Sequence, residues 1–442
     1  MTEASHESAN ELGDHTAAPK ATTTNASIEN VDTHASGRAF THNTLSDAHP
    51  HEKTGNADSE ETDKVIEDRK RSIEIATSES ALDSKRPRRE RTSHFGLERI
   101  VGCRPFKYET YGFAAERRGE RDTMQDAHTI MNDLWAEYGK ARPLEAPRLA
   151  FYGVYDGHAG DRAAKYAAKH LHIHYLNNVA GYLEMKESGL IAEIGPKEQR
   201  KCITDAFKTT DTDFLKLAAS QGWKDGTTAV VVILYDDYML VANLGDSGAV
   251  LAKDIDFHLY NCDTGTVETE SSDYKALLVT KDHNPMVHTE RMRIQKAGGS
   301  VTNGRINGIL GVSRSIGDGA FKRLGLTCVP EIVAASLTGK EKLVIMGCDG
   351  LWGDLNRPDA VKFAGTYMRS EESLTVAKGI LDRQELNFSD AELRERRVER
   401  PATLRRILVQ SVVKALVNEA VRKGSTDNTS ALVIGIGEVS QA

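Results

Sequence analysis

From about residue 96 onward, short apolar runs alternate with stretches in which apolar residues recur every three or four positions. Strands and helices therefore interleave over the last 347 of 442 residues. Five runs read as strands: 149–155 (LAFYGVY), 228–234 (TAVVVIL), 239–244 (MLVANL), 343–346 (LVIM) and 431–436 (ALVIGI). Each is rich in β-branched or aromatic residues, and Gly or Asp bounds them. Tyr235-Asp236-Asp237-Tyr238 joins two of them as a hairpin loop, which predicts antiparallel pairing. Helical spacing appears over 161–179, 197–219, 291–297, 358–368 and 404–422, with Pro358 suited to a first helical turn. The densely charged stretch 382–400 reads as a solvated insertion between helices.

Before residue 96 this patterning is absent. Residues 1–95 contain no Trp, Tyr or Cys and only Phe40 and Phe95 among aromatics, while Thr, Ser, Glu, Asp, Asn and Ala recur without period. Too little apolar surface is available there to offset the entropy of ordering the chain, so a disordered polar tail is expected over 1–95, with a folded domain over 96–439. Seven of the fifteen histidines fall in the tail, irregularly spaced, and suit low-complexity composition better than metal capture. Near its end, Lys85-Arg86-Pro87-Arg88-Arg89-Glu90-Arg91 places five cations in seven positions. Such a run fits a nuclear-import signal recognised by an import receptor, and also a solvated charge run or a polyanion contact.

Charge and cysteine usage narrow the function classes. Lys+Arg 57 against Asp+Glu 65 leaves a net charge of -8, which disfavours a body that coats nucleic acid through its phosphates. The five cysteines (Cys103, Cys202, Cys262, Cys328, Cys348) form an odd set without a CxxC pair, so neither a disulfide framework nor a zinc ribbon is indicated. No apolar run reaches the length of a membrane span, and the chain opens on polar residues. A soluble protein of nucleus and cytoplasm is expected, with no membrane or nucleic-acid partner, and as a monomer.

The chemistry lies in the aspartates that end the apolar runs: Asp126, Asp156 in Asp156-Gly157-His158, Asp246 in Gly245-Asp246-Ser247, Asp349 in Cys348-Asp349-Gly350, and Asp427 in Ser425-Thr426-Asp427-Asn428. Any single Asp-Gly can simply mark a turn. Five acids delivered by strands to one sheet edge would repel one another, and a hard divalent cation with oxygen ligands relieves that repulsion.

Taken in order, Asp156-Gly157-His158-Ala159-Gly160, Gly226-Thr227-Thr228-Ala229, Asn243-Leu244-Gly245-Asp246-Ser247, Lys281-Asp282-His283-Asn284-Pro285, Val312-Ser313-Arg314-Ser315-Ile316-Gly317-Asp318, Cys348-Asp349-Gly350-Leu351-Trp352 and Ser425-Thr426-Asp427-Asn428 resemble the motif series of the metal-dependent protein phosphatase 2C family. The match runs from about Tyr111 to Ile436. The resemblance implies an α+β fold, a four-layer αββα sandwich of two mostly antiparallel sheets flanked by helices. It also implies hydrolysis of phosphoserine and phosphothreonine in phosphorylated proteins by a hydroxide bridging two Mg²⁺ or Mn²⁺ ions. By the same resemblance Asp156 would bridge both ions, the Gly157 carbonyl and Asp126 would bind one, and Asp349 and Asp427 the other. Arg121 would hold the phosphate, His158 would protonate the leaving alkoxide, and Asp246 would belong to a weaker third-ion site.

Three positions depart from the family pattern: Gln125 replaces a common glutamate, Gly353 a third-ion aspartate, and Gly248 the usual arginine after Gly-Asp-Ser. Two competing readings have sequence consequences. A catalytically silent scaffold of the same fold should have lost metal aspartates, and a metal-dependent nuclease should carry a broad basic surface. This chain has Asp126, Asp156, Asp349 and Asp427, and it is acidic.

Overall fold

A computed structural model describes residues 108–137, 146–190, 193–253, 275–386, 388–397 and 399–438. The tail expected over 1–95, its basic cluster Lys85 to Arg91, both ends of the 96–439 domain, Cys103 and Cys262 lie outside the described residues.

Ten strands form two five-stranded sheets: β1 (Tyr108–Arg117), β2 (Ala127–Met131), β3 (Leu149–Tyr155), β4 (Ala229–Tyr235), β5 (Tyr238–Leu244), β6 (Gly248–Lys253), β7 (Lys275–Leu278), β8 (Glu331–Ser336), β9 (Glu341–Gly347) and β10 (Thr429–Glu438). One sheet runs β1-β10-β9-β6-β7 and the other β8-β5-β4-β3-β2. Every neighbouring pair is antiparallel. The longer helices are α1 (Arg162–Glu187), α2 (Pro196–Gln221), α3 (His288–Lys296), α4 (Arg357–Arg369), α5 (Glu371–Glu385), α6 (Asp390–Arg396) and α7 (Arg400–Lys423).

Three apolar layers account for the stacking. Alternate residues of the two sheets, including Tyr152, Val154, Val230 and Val232 from one and Leu251, Val344, Met346 and Leu432 from the other, meet in a central core. The opposite face of the second sheet, through Phe151, Val231 and Ile233, packs on Leu171, Tyr175, Ile203 and Phe207 of α1 and α2. The opposite face of the first, through Val250, Ile345 and Val433, packs on α4, α5 and α7 through Val361, Ala377 and Val413. Strands buried on both faces have no polar side to show, which is why 229–235 reads as an unbroken apolar run. The order helix, sheet, sheet, helix is the expected sandwich.

The five expected strands and five expected helices are present with shifted ends. The hairpin closes as predicted, with Tyr235 opposite Tyr238 and Asp236 at φ 47°. That turn is tied to the sheet, because Arg148 N donates to Asp236 Oδ1 at 2.9 Å. Strand β9 begins two residues early because its charged first residue is satisfied: Glu341 is buried, pairs with Lys253 Nζ at 3.1 Å and accepts from Thr338 N. The stretch 382–400 is mostly exposed, as expected of a solvated insertion, and partly helical. It opens in the last turn of α5 and contains α6, which starts on a capping box between Ser389 and Glu392, and Arg400 at the head of α7 returns to Asp382 and Glu385. Two of its acids thus pair with Arg400, which orders the stretch without burying most of it. Among the described residues Cys202, Cys328 and Cys348 are free thiols, and no helix is long and apolar enough to cross a membrane.

Candidate active site

Strand ends deliver the acids. Asp156 follows the last residue of β3, Asp126 precedes β2, Asp246 and Asp349 follow β5 and β9, and Asp427 precedes β10. The two-residue strand Gly157–His158 pairs with Gly226–Thr227, and Asp156 O accepts from Thr228 N and Thr227 Oγ1, each at 2.9 Å. The turn carrying Asp156 is thereby bonded to β4. Gly157 is required sterically: a Cβ there would sit 2.4 Å from the Gln125 carbonyl oxygen.

Two sets of donor atoms come within 4.8 Å of one another, Asp126 with Asp156 and Cys348, and Asp156 with Asp246 and Asp349. Asp156 is common to both. Crowding shows in the acidities. Burial, and then the neighbouring acids, push Asp126 up to about 6 and Asp156 well above the usual carboxylate range, while burial and the charge of Asp349 push Asp246 up to about 6. Both carboxylate oxygens of Asp126 are buried without a hydrogen bond, and the nearby Ser430 hydroxyl and Cys348 thiol ease its charge without reaching bonding geometry. Buried acceptors left open in an oxygen-rich cluster suit a hard divalent cation. These residues fit such an ion.

Asp427 belongs to neither donor set but stays beside it, since a Cβ on Gly350, next to Asp349, would lie 3.3 Å from Asp427 Cβ. Arg121 Nη2 lies 2.6 Å from Asp427 Oδ2 in an exposed ion pair, although the charge of Asp427 still reaches Asp126. Two residues expected in different roles are thus each other's partner. Asp246, expected at a weaker third-ion site, approaches Asp156 and Asp349. Gly353 ends the helical turn opened by Asp349 and offers no carboxylate.

His158 Nε2 lies 2.7 Å from Asp318 Oδ2, which also accepts from Ser315 Oγ at 2.6 Å. Asp318 is buried in a left-handed conformation, φ 53°. Burial pulls the imidazole pKa down, but the hydrogen bond and charge of Asp318 outweigh it, with help from Asp246 and Asp225, so it is held above its ordinary value. Sequence reading gave Asp318 no role. The signal is present in Gly317-Asp318, which repeats Gly245-Asp246 two motifs later. Asn428 was also passed over: its side chain accepts from Gln125 N at 2.8 Å and donates to Arg118 O and Thr123 O, pinning the loop that ends at Asp126. Only the three-dimensional crossing of segments 118–126 and 426–428 reveals that task.

The departure at Gly248 has a physical account. A Cβ at Gly248 would lie 2.2 Å from Arg357 Nη2, whose guanidinium bonds Asp282 Oδ1 at 2.7 Å and lies over the Trp352 ring at 5.4 Å. Arg357 therefore fills, from α4, the space beside position 248. Gly248→Arg should overpack the site and destabilise the fold by about 1–3 kcal/mol, measured by denaturant titration. Unchanged stability would show that Arg357 moves aside freely.

The protein phosphatase 2C family profile matches residues 111–386. The chain belongs to the protein phosphatase 2C family. It is therefore a protein phosphatase. The "Integrin-linked kinase-associated serine/threonine phosphatase 2C" of Bos taurus is 39% identical over 328 residues, 74% of this chain and 76% of that protein. The Homo sapiens protein of the same description is 38% identical over 330 residues, 74% and 72% of the two chains. The fold also matches the crystal structure of a serine-threonine phosphatase 2C from Toxoplasma gondii with TM-score 0.53 and 20% identity, covering 76% of this chain and 98% of that one.

Proposed function

We propose that this phosphatase hydrolyses phosphoserine and phosphothreonine in proteins, using Mg²⁺ or Mn²⁺ held by Asp126, Asp156, the Gly157 carbonyl, Asp349 and Asp427, with Asp246 beside them for a weaker third ion. The carrying observation is Asp156, the acid shared by two neighbouring donor sets, beside an Asp126 whose buried oxygens have no partner. Divalent cations bound there would neutralise the acids and supply a water of lowered pKa as nucleophile. The protein's own tasks follow from placement. Asp156 aligns both donor sets, and the Gly157 backbone can approach them because no Cβ intervenes. Arg121, exposed on Asp427, can exchange that carboxylate for a substrate phosphate without a desolvation cost. His158, steadied by Asp318, is the candidate to protonate the leaving serine or threonine oxygen. The names of the mammalian relatives support the choice of substrate class.

Turnover of a phosphoserine peptide tests the reading, run beside single-stranded DNA with Mn²⁺, with Mg²⁺ and with chelator. Peptide hydrolysis that chelator abolishes and excess Mn²⁺ restores is the expected result. Full turnover after exhaustive chelation rejects it, and inactivity under every condition returns the silent-scaffold reading.

We further propose that Lys85 to Arg91 directs nuclear entry, on the strength of five cations in seven positions. Replacing Arg86, Arg88 and Arg89 with alanine in the full chain should move a fluorescent fusion from nucleus to cytoplasm while phosphopeptide turnover stays unchanged. An unaltered distribution rejects the signal.

A further inference from the structure

The outer helical layer carries a second set of metal-ligating side chains, unrelated to the acid cluster. His170 and His174 lie one turn apart on α1 with ring centroids 6.3 Å apart and nearly parallel planes. Residues at this spacing share one helix face. Asp213 projects from α2 toward the same place, with Oδ2 4.0 Å from His174 Nε2. Its charge acts on both imidazoles.

Hydrogen bonding fixes which nitrogen of His174 is free. Thr210 Oγ1 spends its proton on Ala206 O at 2.8 Å, so it accepts at its contact with His174 Nδ1, also 2.8 Å. Nδ1 therefore carries the hydrogen in the neutral ring, and Nε2 presents a lone pair toward Asp213 Oδ2. Two acceptors face each other there, and a cation between them removes the conflict. This is the arrangement by which a partner behind a metal-binding histidine sets its tautomer and orientation. The neighbouring cations leave the position open: Lys216 Nζ pairs with the other oxygen, Oδ1, at 3.0 Å, and Lys169 is exposed. On the far side, His170 is backed by the Tyr166 ring at 4.2 Å, and Tyr166 by Phe214 at 5.5 Å.

We propose that His170, His174 and Asp213 form a binding site for a Zn²⁺-class ion that clamps α1 to α2. Two imidazoles and one carboxylate, with water as a fourth ligand, are a common zinc donor set, whereas Mg²⁺ and Mn²⁺ prefer all-oxygen sites. Ligand atoms about 2.0–2.1 Å from a tetrahedral ion stand roughly 3.3 Å apart, closer than these donors stand here, so His170, His174 and Asp213 must all turn toward one another as the ion binds. Burial, the leading influence on both rings, lowers their pKa, which favours the neutral form that ligation requires.

The clamp has a structural consequence. Asp211, two residues before Asp213, accepts from Gly317 N at 2.8 Å and pairs with Lys322 at 2.9 Å, so α2 also anchors the segment that carries Asp318.

The test uses the full chain with excess Mg²⁺ present and counts Zn²⁺ bound by equilibrium dialysis. Wild type should bind one equivalent more than the His170→Gln/His174→Gln double variant, and Zn²⁺ should raise the Tm of wild type more than that of the variant. Thr210→Val should leave the number of ions unchanged but weaken this one about 10–100-fold, because only the tautomer support is lost. A purely structural Thr210 would not produce that split. Equal Zn²⁺ stoichiometry and equal thermal shifts in wild type and double variant would overturn the proposal, since zinc would then bind at the acid cluster alone.

Discussion

Asp156→Asn is expected to abolish phosphatase activity and at the same time to raise the Tm of the metal-stripped protein. Asp156 is the acid shared by both donor sets, so its loss weakens both ion positions together, and a rate loss on the order of 10³-fold or more follows from losing the ions' charge neutralisation and activated water. The stability gain has a separate origin. In the folded chain the pKa of Asp156 is held well above its ordinary value by burial and by Asp126, Asp349 and Asp246. As pH rises past the ordinary carboxylate value the open chain loses this proton more readily than the fold does, so without ions the group costs stability at neutral pH. Asparagine keeps the shape and drops the charge. Each 1 kcal/mol recovered should raise Tm by roughly 2 °C. With saturating Mg²⁺ the order should invert, because only wild type gains from binding. Thermal melts of both proteins, stripped and loaded, decide the matter. A variant less stable than wild type when stripped would mean that Asp156 is held by structural bonds rather than strained by its neighbours.

That trade-off is visible in the sequence only in part, and the reason is physical. Acids at the ends of β3, β5 and β9 announce themselves because an apolar run ending in Asp-Gly or Gly-Asp is conspicuous, and the strands fix where they go. The division of labour among the acids depends on distances that no spacing encodes. That Asp246 stands with Asp156 and Asp349, and that Asp427 pairs with Arg121 while its charge still reaches Asp126, is seen only in three dimensions.

Strands also escaped notice where the apolar pattern was weak. β1 mixes Glu109, Thr110 and Glu116 among its aromatics, and β8 is a half-exposed edge strand. Helix α5 buries only Ser373, Ala377 and Leu381 at helical spacing. Such elements exist because neighbours complete them, as Tyr152 does by lying against Gly112 of β1, where a Cβ would come within 2.6 Å of its ring. Compensation across the fold is equally hidden: the missing arginine at position 248 and the guanidinium of Arg357 are 109 residues apart in the chain.

His158→Gln should slow phosphopeptide hydrolysis by about 10²–10⁴-fold, the usual contribution of a general acid, and slow p-nitrophenyl phosphate far less. Serine departs as a poorly stabilised alkoxide and needs a proton in the transition state, whereas p-nitrophenolate leaves readily as an anion. Asp318 sharpens the prediction. It holds His158 Nε2 at 2.7 Å and is itself held by Ser315, so Asp318→Asn leaves the imidazole in place but removes the charge that favours its protonated form. It should therefore show the same substrate split in weaker form. Gly226 provides a third probe, because a Cβ there would lie 2.0 Å from Asp318 Oδ2 and 2.3 Å from His158 Nε2. Gly226→Ala should push the pair apart and reproduce the selective loss without touching an acid of the cluster. Equal losses on both substrates in all three variants would locate the damage in ion binding or the substrate pocket. No loss in any of them would reduce the His158–Asp318 pair to a structural tie between the turn after β3 and the segment before β8.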